Sequence, residues 1–328
     1  MAFEAAPERW ILEQLKGGDG IAAPTGMSAR LLDRWVRVHG VEGLVASCSV
    51  EPARRAALAL QFDVARRQLD AIGRAFAAGD VASVVLKGIP LAVRLYADPM
   101  MRPSVDFDLL VSPDRIGAAE AALARLGYET ESGRRGAFFR ERHFHVHVTA
   151  PGRVPVELHR LAYAGFGREL TAADLFEGRR PSPAGGEALF VPSPERELVY
   201  LAVHAAAHRF SRIGWLYDIK LLLEQGFTDS TLEEAWTFAA RTGFRGPLVA
   251  ATLLLNAHFG LDLPVLAPSR YVVLARAANA VADEPDSAVL RMTTRVAYSF
   301  LLSDGLRARA RFVGKTVVDK VVFPTSSD

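Results

Sequence analysis

Apolar positions recur at helical spacing along most of the chain, with one stretch of different character near the middle. Ile11, Leu12 and Leu15 suit a short amphipathic turn, and residues 27–38 suit a second helix. Pro52–Ala78 reads as a long helix rich in Ala and Arg, with Leu58, Phe62, Ala65, Leu69 and Ile72 on one stripe. Asp80 breaks that pattern. Residues 81–160 then carry short β-branched runs: VASVVLKG, SVDFDLLV over 104–111, HFHVHVT and VPVELHR. A short helix over Ile89 to Tyr96 follows the first run. Another follows Ser112-Pro113-Asp114, a helix-start signal, and ends at Gly127. Pro151-Gly152 at the centre of Ala150–Arg153 suits a type II turn between the last two strands.

From Pro194 the helical period returns, over about 194–210, 214–225, 230–242, 246–259, 268–282 and 285–303. Residues 165–193 are rich in Gly, Pro and Arg and read as a linker or surface loop. The expected layout is a helical N-terminal region (1–80), a small α/β core (81–164), this linker (165–193) and a C-terminal helical domain (194–328). The fold class is α+β.

Composition narrows the function classes. Half of the 328 residues are apolar, which is enough for a real core. The net charge is +2, so no global field dictates a nucleic-acid or membrane partner. A single cysteine, Cys48, excludes a disulfide scaffold and reads as a small buried residue. The N-terminal residues lack a secretory pattern, and no apolar run approaches the roughly 18 residues of a membrane span. The expectation is a cytoplasmic globular protein. From Gly305 five cations face two carboxylates, a basic tail most simply read as a solvated helix face. Gly314-Lys315-Thr316 is no phosphate loop, because position 309 is Arg where that motif needs Gly.

The informative segment is 86–111, LKGIPLAVRLYADPMMRPSVDFDLLV. Asp106 and Asp108 alternate on a strand, so both carboxylates leave one face while Phe107 and Leu109 leave the other. Two like charges on an apolar strand are unfavourable unless a cation offsets them, and oxygen ligands on a rigid element suit Mg²⁺. The plain alternative is a strand edge with two solvated acids. Three neighbours favour the site. Gly88 closes the preceding strand and opens a helix, Arg102 precedes the acidic strand, and Glu157 lies on a later one.

This ordered set resembles the nucleotidyltransferase superfamily typified by DNA polymerase beta. More narrowly, LKG…LY…R…DFDLLV, then VELH, then HAAAHRF…W-L-Y-D-I is similar to a bacterial nucleotidyltransferase-like family of largely unknown activity, whose members often accompany biosynthetic or peptide-modification genes. The resemblance covers about residues 30–225. It implies a small mixed-sheet core of the polymerase-beta kind and metal-dependent transfer of a nucleoside monophosphate with pyrophosphate release. The implied cofactors are Mg²⁺ (or Mn²⁺) and a nucleoside triphosphate, ATP by preference. Asp106, Asp108 and Glu157 would be the metal-binding and catalytic carboxylates. Lys87, Gly88 and Arg102 would hold the triphosphate. The acceptor would be a small molecule, a peptide or a biosynthetic intermediate, with no membrane and no nucleic acid expected. The family turn usually carries Ser or Gly after its glycine. Here Ile89 follows Gly88; Lys87 would substitute for the missing hydroxyl, or is a strand-end lysine that reaches solvent.

The histidines leave alternatives open. His143, His145 and His147 share one strand face, and a two-residue Pro-Gly turn pairs Val146 with Glu157, which places them opposite the acid; a one-residue slip reverses this. His159 shares the face of Glu157 as a supporting or acceptor contact. His204 and His208 stand at i and i+4, a spacing that binds zinc, with Asp218 as a third ligand. A metal-dependent hydrolase on those three is one alternative. A non-catalytic nucleotide- or peptide-binding module of the same fold is another.

Overall fold

A computed structural model describes residues 7–16, 29–44, 52–130, 144–280 and 288–322. Cys48 and His143 lie outside these residues. In chain order the first elements are α1 (Pro7–Lys16), α2 (Ala29–Val38), α3 (Pro52–Ala78), β1 (Ser83–Val85), α4 (Ile89–Leu95), β2 (Phe107–Val111) and α5 (Ile116–Arg125). Next come β3 (Glu129–Thr130), β4 (His145–Thr149), β5 (Val156–His159), β6 (Leu161–Gly165), β7 (Arg168–Thr171), α6 (Ala172–Phe176), β8 (Arg180–Pro181) and β9 (Leu189–Val191). Helices complete the chain: α7 (Pro194–Ala207), α8 (Ile213–Glu224), α9 (Asp229–Thr242), α10 (Arg245–Phe259), α11 (Ser269–Ala280), α12 (Ala288–Leu302) and α13 (Leu306–Val322).

The fold is α+β, built on a mixed seven-stranded sheet of order β3-β4-β5-β2-β1-β9-β8. β2 runs antiparallel to β1 and parallel to β5, and β1 runs parallel to β9. Strand alternation divides the side chains between two cores. Phe107, Leu109, Val111, Val156 and Leu158 point down into a core closed by α3 and α5. Val84, Leu86 and Leu110 point up into a larger core shared with α1, α2 and the C-terminal helices. The N-terminal helices therefore divide between the two cores instead of forming a region of their own. No described helix is long and apolar enough to cross a membrane.

The segment 165–193 is not a linker. It contributes β7, which pairs with β6, then α6, and then β8 and β9, which extend the main sheet beyond β1. Thr171 starts α6 with a capping box, its hydroxyl accepting from the Asp174 N–H while the Asp174 carboxylate accepts from the Thr171 N–H. The Gly and Pro content reflects tight connections between very short elements, and β9 is too short for periodicity to reveal.

Candidate active site

Asp106, Asp108, Glu157 and Lys87 meet on the upper face of the sheet. Asp108 lies in β2 beside Glu157 of the parallel strand β5. Asp106 precedes β2, where Ser104 Oγ donates to its carbonyl at 2.9 Å. Leu86 donates its N–H to the Asp108 carbonyl, which carries the β1 edge onward and delivers Lys87 over the same face. Gly88 makes the turn into α4 with φ 85° and ψ −131°, a conformation open to glycine alone. A Cβ there would stand 2.8 Å from Ser104 Oγ.

The carboxylates are neutralised from within. Lys87 Nζ is 3.0 Å from Asp106 Oδ1 and in direct contact with Asp108 Oδ2. His159 Nε2 stands between Asp108 Oδ1 at 3.2 Å and Glu157 Oε2 at 3.4 Å. Burial pulls Lys87 toward its neutral form, but Asp108 and Asp106 outweigh it and raise its pKa. Burial favours protonated Asp108, yet Lys87 and His159 hold it well below the usual carboxylate range. His159 is raised because its hydrogen bonds to Asp108 and Glu157 exceed its own burial penalty. Glu157 is lowered, its burial being outweighed chiefly by His159.

Above this floor lies a cavity of about 480 Å³, roofed by α7 and α8. Tyr200 and His204 are one helical turn apart on α7, and His208 follows at its C-terminal end. His204, His208 and Trp215 of α8 form a ring cluster with centroids 4.9–5.2 Å apart, and the Arg212 guanidinium lies over the Trp215 ring. Burial first, and Lys87 second, push both roof histidines below their ordinary pKa, His204 far below. The cavity thus has a charged floor and an aromatic roof that also carries the Arg212 guanidinium.

Arg102 does not present a free guanidinium to this cavity. Its Nε and Nη2 donate to Asp218 Oδ1 and Oδ2 at 2.7 and 2.8 Å, a bidentate pair, and the Tyr96 hydroxyl donates to Asp218 Oδ1 at 2.8 Å. Asp218 is therefore committed to Arg102 and Tyr96 and does not complete a ligand set with His204 and His208, which removes the ground for the hydrolase reading. Tyr96, Ser104, Tyr200 and Trp215 went unrecognised as site residues. Tyr200 was legible, being one turn before His204, and Tyr96 and Trp215 lie inside the ordered set LY…W-L-Y-D-I.

The register of β4 against β5 reverses the expectation for the histidines. Val148 pairs with Val156, His147 with Glu157 and His145 with His159, so His145 and His147 share the face of Glu157. The turn does close from Arg153 N–H to the Ala150 carbonyl, but Val154 and Pro155 lie outside the ladder. Pairing Val148 with Val156 puts both in the lower core, and hydrophobic alternation decides the register over turn length. Among the described residues, three metal-ligating groups come together at His145, Glu157 and His159, their ligand atoms all within 4.8 Å of one another. Asp106, Asp108 and Glu157 are not gathered in that way: two meet on Lys87 and the third meets His159.

A family model described as "uncharacterised nucleotidyltransferase" matches residues 27–260. Among curated proteins no match is found. Two solved structures are similar in part. One is the crystal structure of ANT(2")-Ia in complex with adenylyl-2"-tobramycin, at 12% identity and TM-score 0.40, covering 54% of this chain and 97% of that one. The other is the solution structure of the antibiotic-resistance factor ANT(2'')-Ia, at 12% identity and TM-score 0.35, covering 58% and 94%.

Proposed function

Because the chain belongs to the uncharacterised nucleotidyltransferase family, we propose that it moves a nucleoside monophosphate, AMP by preference, onto a hydroxyl or amine of a small molecule, peptide or protein. The acceptor atom attacks the α-phosphorus, the bond to the β-phosphate oxygen breaks, and pyrophosphate leaves with that electron pair. The observation that carries the reading is the convergence of Asp106 and Asp108 on one cation at the floor of the cavity. A point in reach of both carboxylates, already filled by an ammonium, fits a single Mg²⁺ or Mn²⁺ once Lys87 moves aside. Such an ion supplies charge to offset phosphate oxygens and to polarise the α-phosphate. Lys87, released from the aspartates, is placed to pair with the triphosphate, the task its position beside Gly88 suggests. Arg102 acts indirectly, tying the base of the acidic segment to α8 through Asp218. Glu157, beside Asp108 on the neighbouring strand, orients or deprotonates the acceptor. A supply of nucleoside triphosphate places the reaction in the cytoplasm.

A second reading, a module that binds nucleotide without turning it over, has one observation in its favour: Lys87 already neutralises the aspartates. Titration calorimetry with ATP, GTP, CTP and UTP, with and without Mg²⁺, tests the site. Mg²⁺-dependent binding lost in Asp106→Ala and Asp108→Ala is the expected result, and unchanged affinity in both variants would overturn it. Pyrophosphate release with candidate acceptors separates transferase from module.

A further inference from the structure

We propose that His145, Glu157 and His159 form a second metal site beside the aspartates, suited to a divalent ion of the Zn²⁺ or Co²⁺ type instead of Mg²⁺. Three potential ligand atoms lie within 4.8 Å of one another on adjacent strands. His145 and His159 are direct cross-strand partners, and Glu157 alternates with His159 on the same face. Two ligands of a tetrahedral ion with bonds near 2.0–2.1 Å stand roughly 3.3 Å apart. The His159 Nε2 to Glu157 Oε2 separation is 3.4 Å, which matches that edge. At the rim His147 is half-exposed, its Nε2 3.3 Å from His145 Nε2 and its Nδ1 3.7 Å from Glu157 Oε1, so a third imidazole borders the open side.

The donor set decides the class of ion. Imidazole nitrogens favour Zn²⁺, Co²⁺ and their neighbours, whereas Mg²⁺ prefers an all-oxygen shell. Two imidazoles and one carboxylate leave a coordination position free, the pattern of ions that bind a ligand as well as the protein. His159 is 3% exposed, so the inner side of the site is dry and fixed, and the open side faces the cavity. Asp108 Oδ1, 3.2 Å from His159 Nε2, adds a negative charge next to the ion. The site shares Glu157 with the transfer reading but needs no nucleotide.

Cobalt titration of the full chain, followed by visible absorption without nucleotide, tests the proposal. One equivalent of Co²⁺ should produce the d–d bands of a low-coordinate N/O site. One equivalent of Zn²⁺ should remove them, and about a thousandfold excess of Mg²⁺ should not. His145→Ala and Glu157→Gln should each weaken Co²⁺ binding by more than about tenfold, with folding checked by circular dichroism. Glu157→Gln decides if His145→Ala does not fold. Asp106→Asn should retain the bands. No band, a band unchanged in the folded variants, displacement by Mg²⁺, or loss in Asp106→Asn would each overturn the proposal. Because ATP is absent, failure here leaves the calorimetric test of nucleotide binding unaffected.

Discussion

Replacing Lys87 with Met removes one ammonium while keeping most of the apolar stem, and the structure fixes what should follow. The Asp108 side chain is 3% exposed and touches the Lys87 ammonium and the His159 imidazole. Removing one partner of a buried ion pair generally costs about 3–5 kcal/mol, because the remaining charge is stranded. Here His159 stays, and Asp106 retains 27% of its side-chain exposure, so the loss belongs at the lower end, ~3 kcal/mol at neutral pH. The sign with pH follows from the shifts. Native Asp108 lies below its unfolded value, so its stabilisation is full above about pH 4 and is lost as pH falls toward the native value. Lys87 lies above its unfolded value, so its share is full below about pH 10 and is lost as pH rises further.

The variant should therefore differ most from the parent between those limits and converge with it in acid. Urea denaturation across pH 3–9 reads the difference directly. Asp108→Asn in the Lys87→Met background should recover part of the loss, with a coupling of roughly 1–3 kcal/mol. Mg²⁺ should stabilise Lys87→Met more than the parent, since the ion no longer competes with a tethered ammonium. A loss under about 1 kcal/mol, or one that does not change with pH, would refute the view that Lys87 is the resident counter-ion of the two aspartates.

Three other substitutions or titrations are as direct. Arg102→Ala should destabilise by about 3–5 kcal/mol through the stranded Asp218, and Arg102→Lys should recover only part because an ammonium cannot match the bidentate geometry; equal stability of Lys and Arg forms by urea denaturation would contradict this. Gly88→Ala should cost about 1–3 kcal/mol from backbone strain alone, and adding Ser104→Ala should relieve the steric contact without restoring the parent. Imidazole proton shifts should show His159 titrating above about 6.5 and His204 well below it. His159 then contributes stability that is full below about 6.5 and lost as pH rises, and His204 contributes stability that is full above it and lost as pH falls. The reverse order would show that the floor is not negatively charged as described.

The α+β class was legible because it rests on period and alternation, which one chain carries in full, whereas Asp106 lies just before β2 and meets Asp108 through Lys87. The strand register was legible in principle, since Val148, Val156 and Leu158 need the buried face, but turn length gave a competing answer one residue away. β9 was hidden by its brevity: three residues, placed in the sheet by pairing with β1 far earlier in the chain. Arg102 illustrates a different limit. Its place in the motif suggested phosphate, whereas its bidentate partner comes from 116 residues further along the chain. Long-range pairing of charges leaves no local periodic trace.

The charges around each ring explain why the histidines of this site behave in opposite ways. His159 is as buried as His204, yet it is raised and His204 is lowered, because Asp108 and Glu157 flank the first while Lys87 faces the second. The sheet carries most of the charges, and α7 and α8 supply imidazole, phenol and indole, with the Arg212 guanidinium over the indole. Positive charge for a triphosphate in such a cavity lies at Lys87 and at whatever cation the carboxylates hold on the floor, and at the Arg212 guanidinium over Trp215 on the roof. The roof offers ring faces and neutral nitrogens, which suit the uncharged or aromatic part of a substrate. On the proposed transfer reading, this division favours phosphates against β2 and the Gly88 turn, with base or acceptor against Trp215 and His208. Trp215→Ala should weaken substrate binding without altering the pH at which His159 titrates, and a shift of that titration would mean that roof and floor are electrostatically one unit.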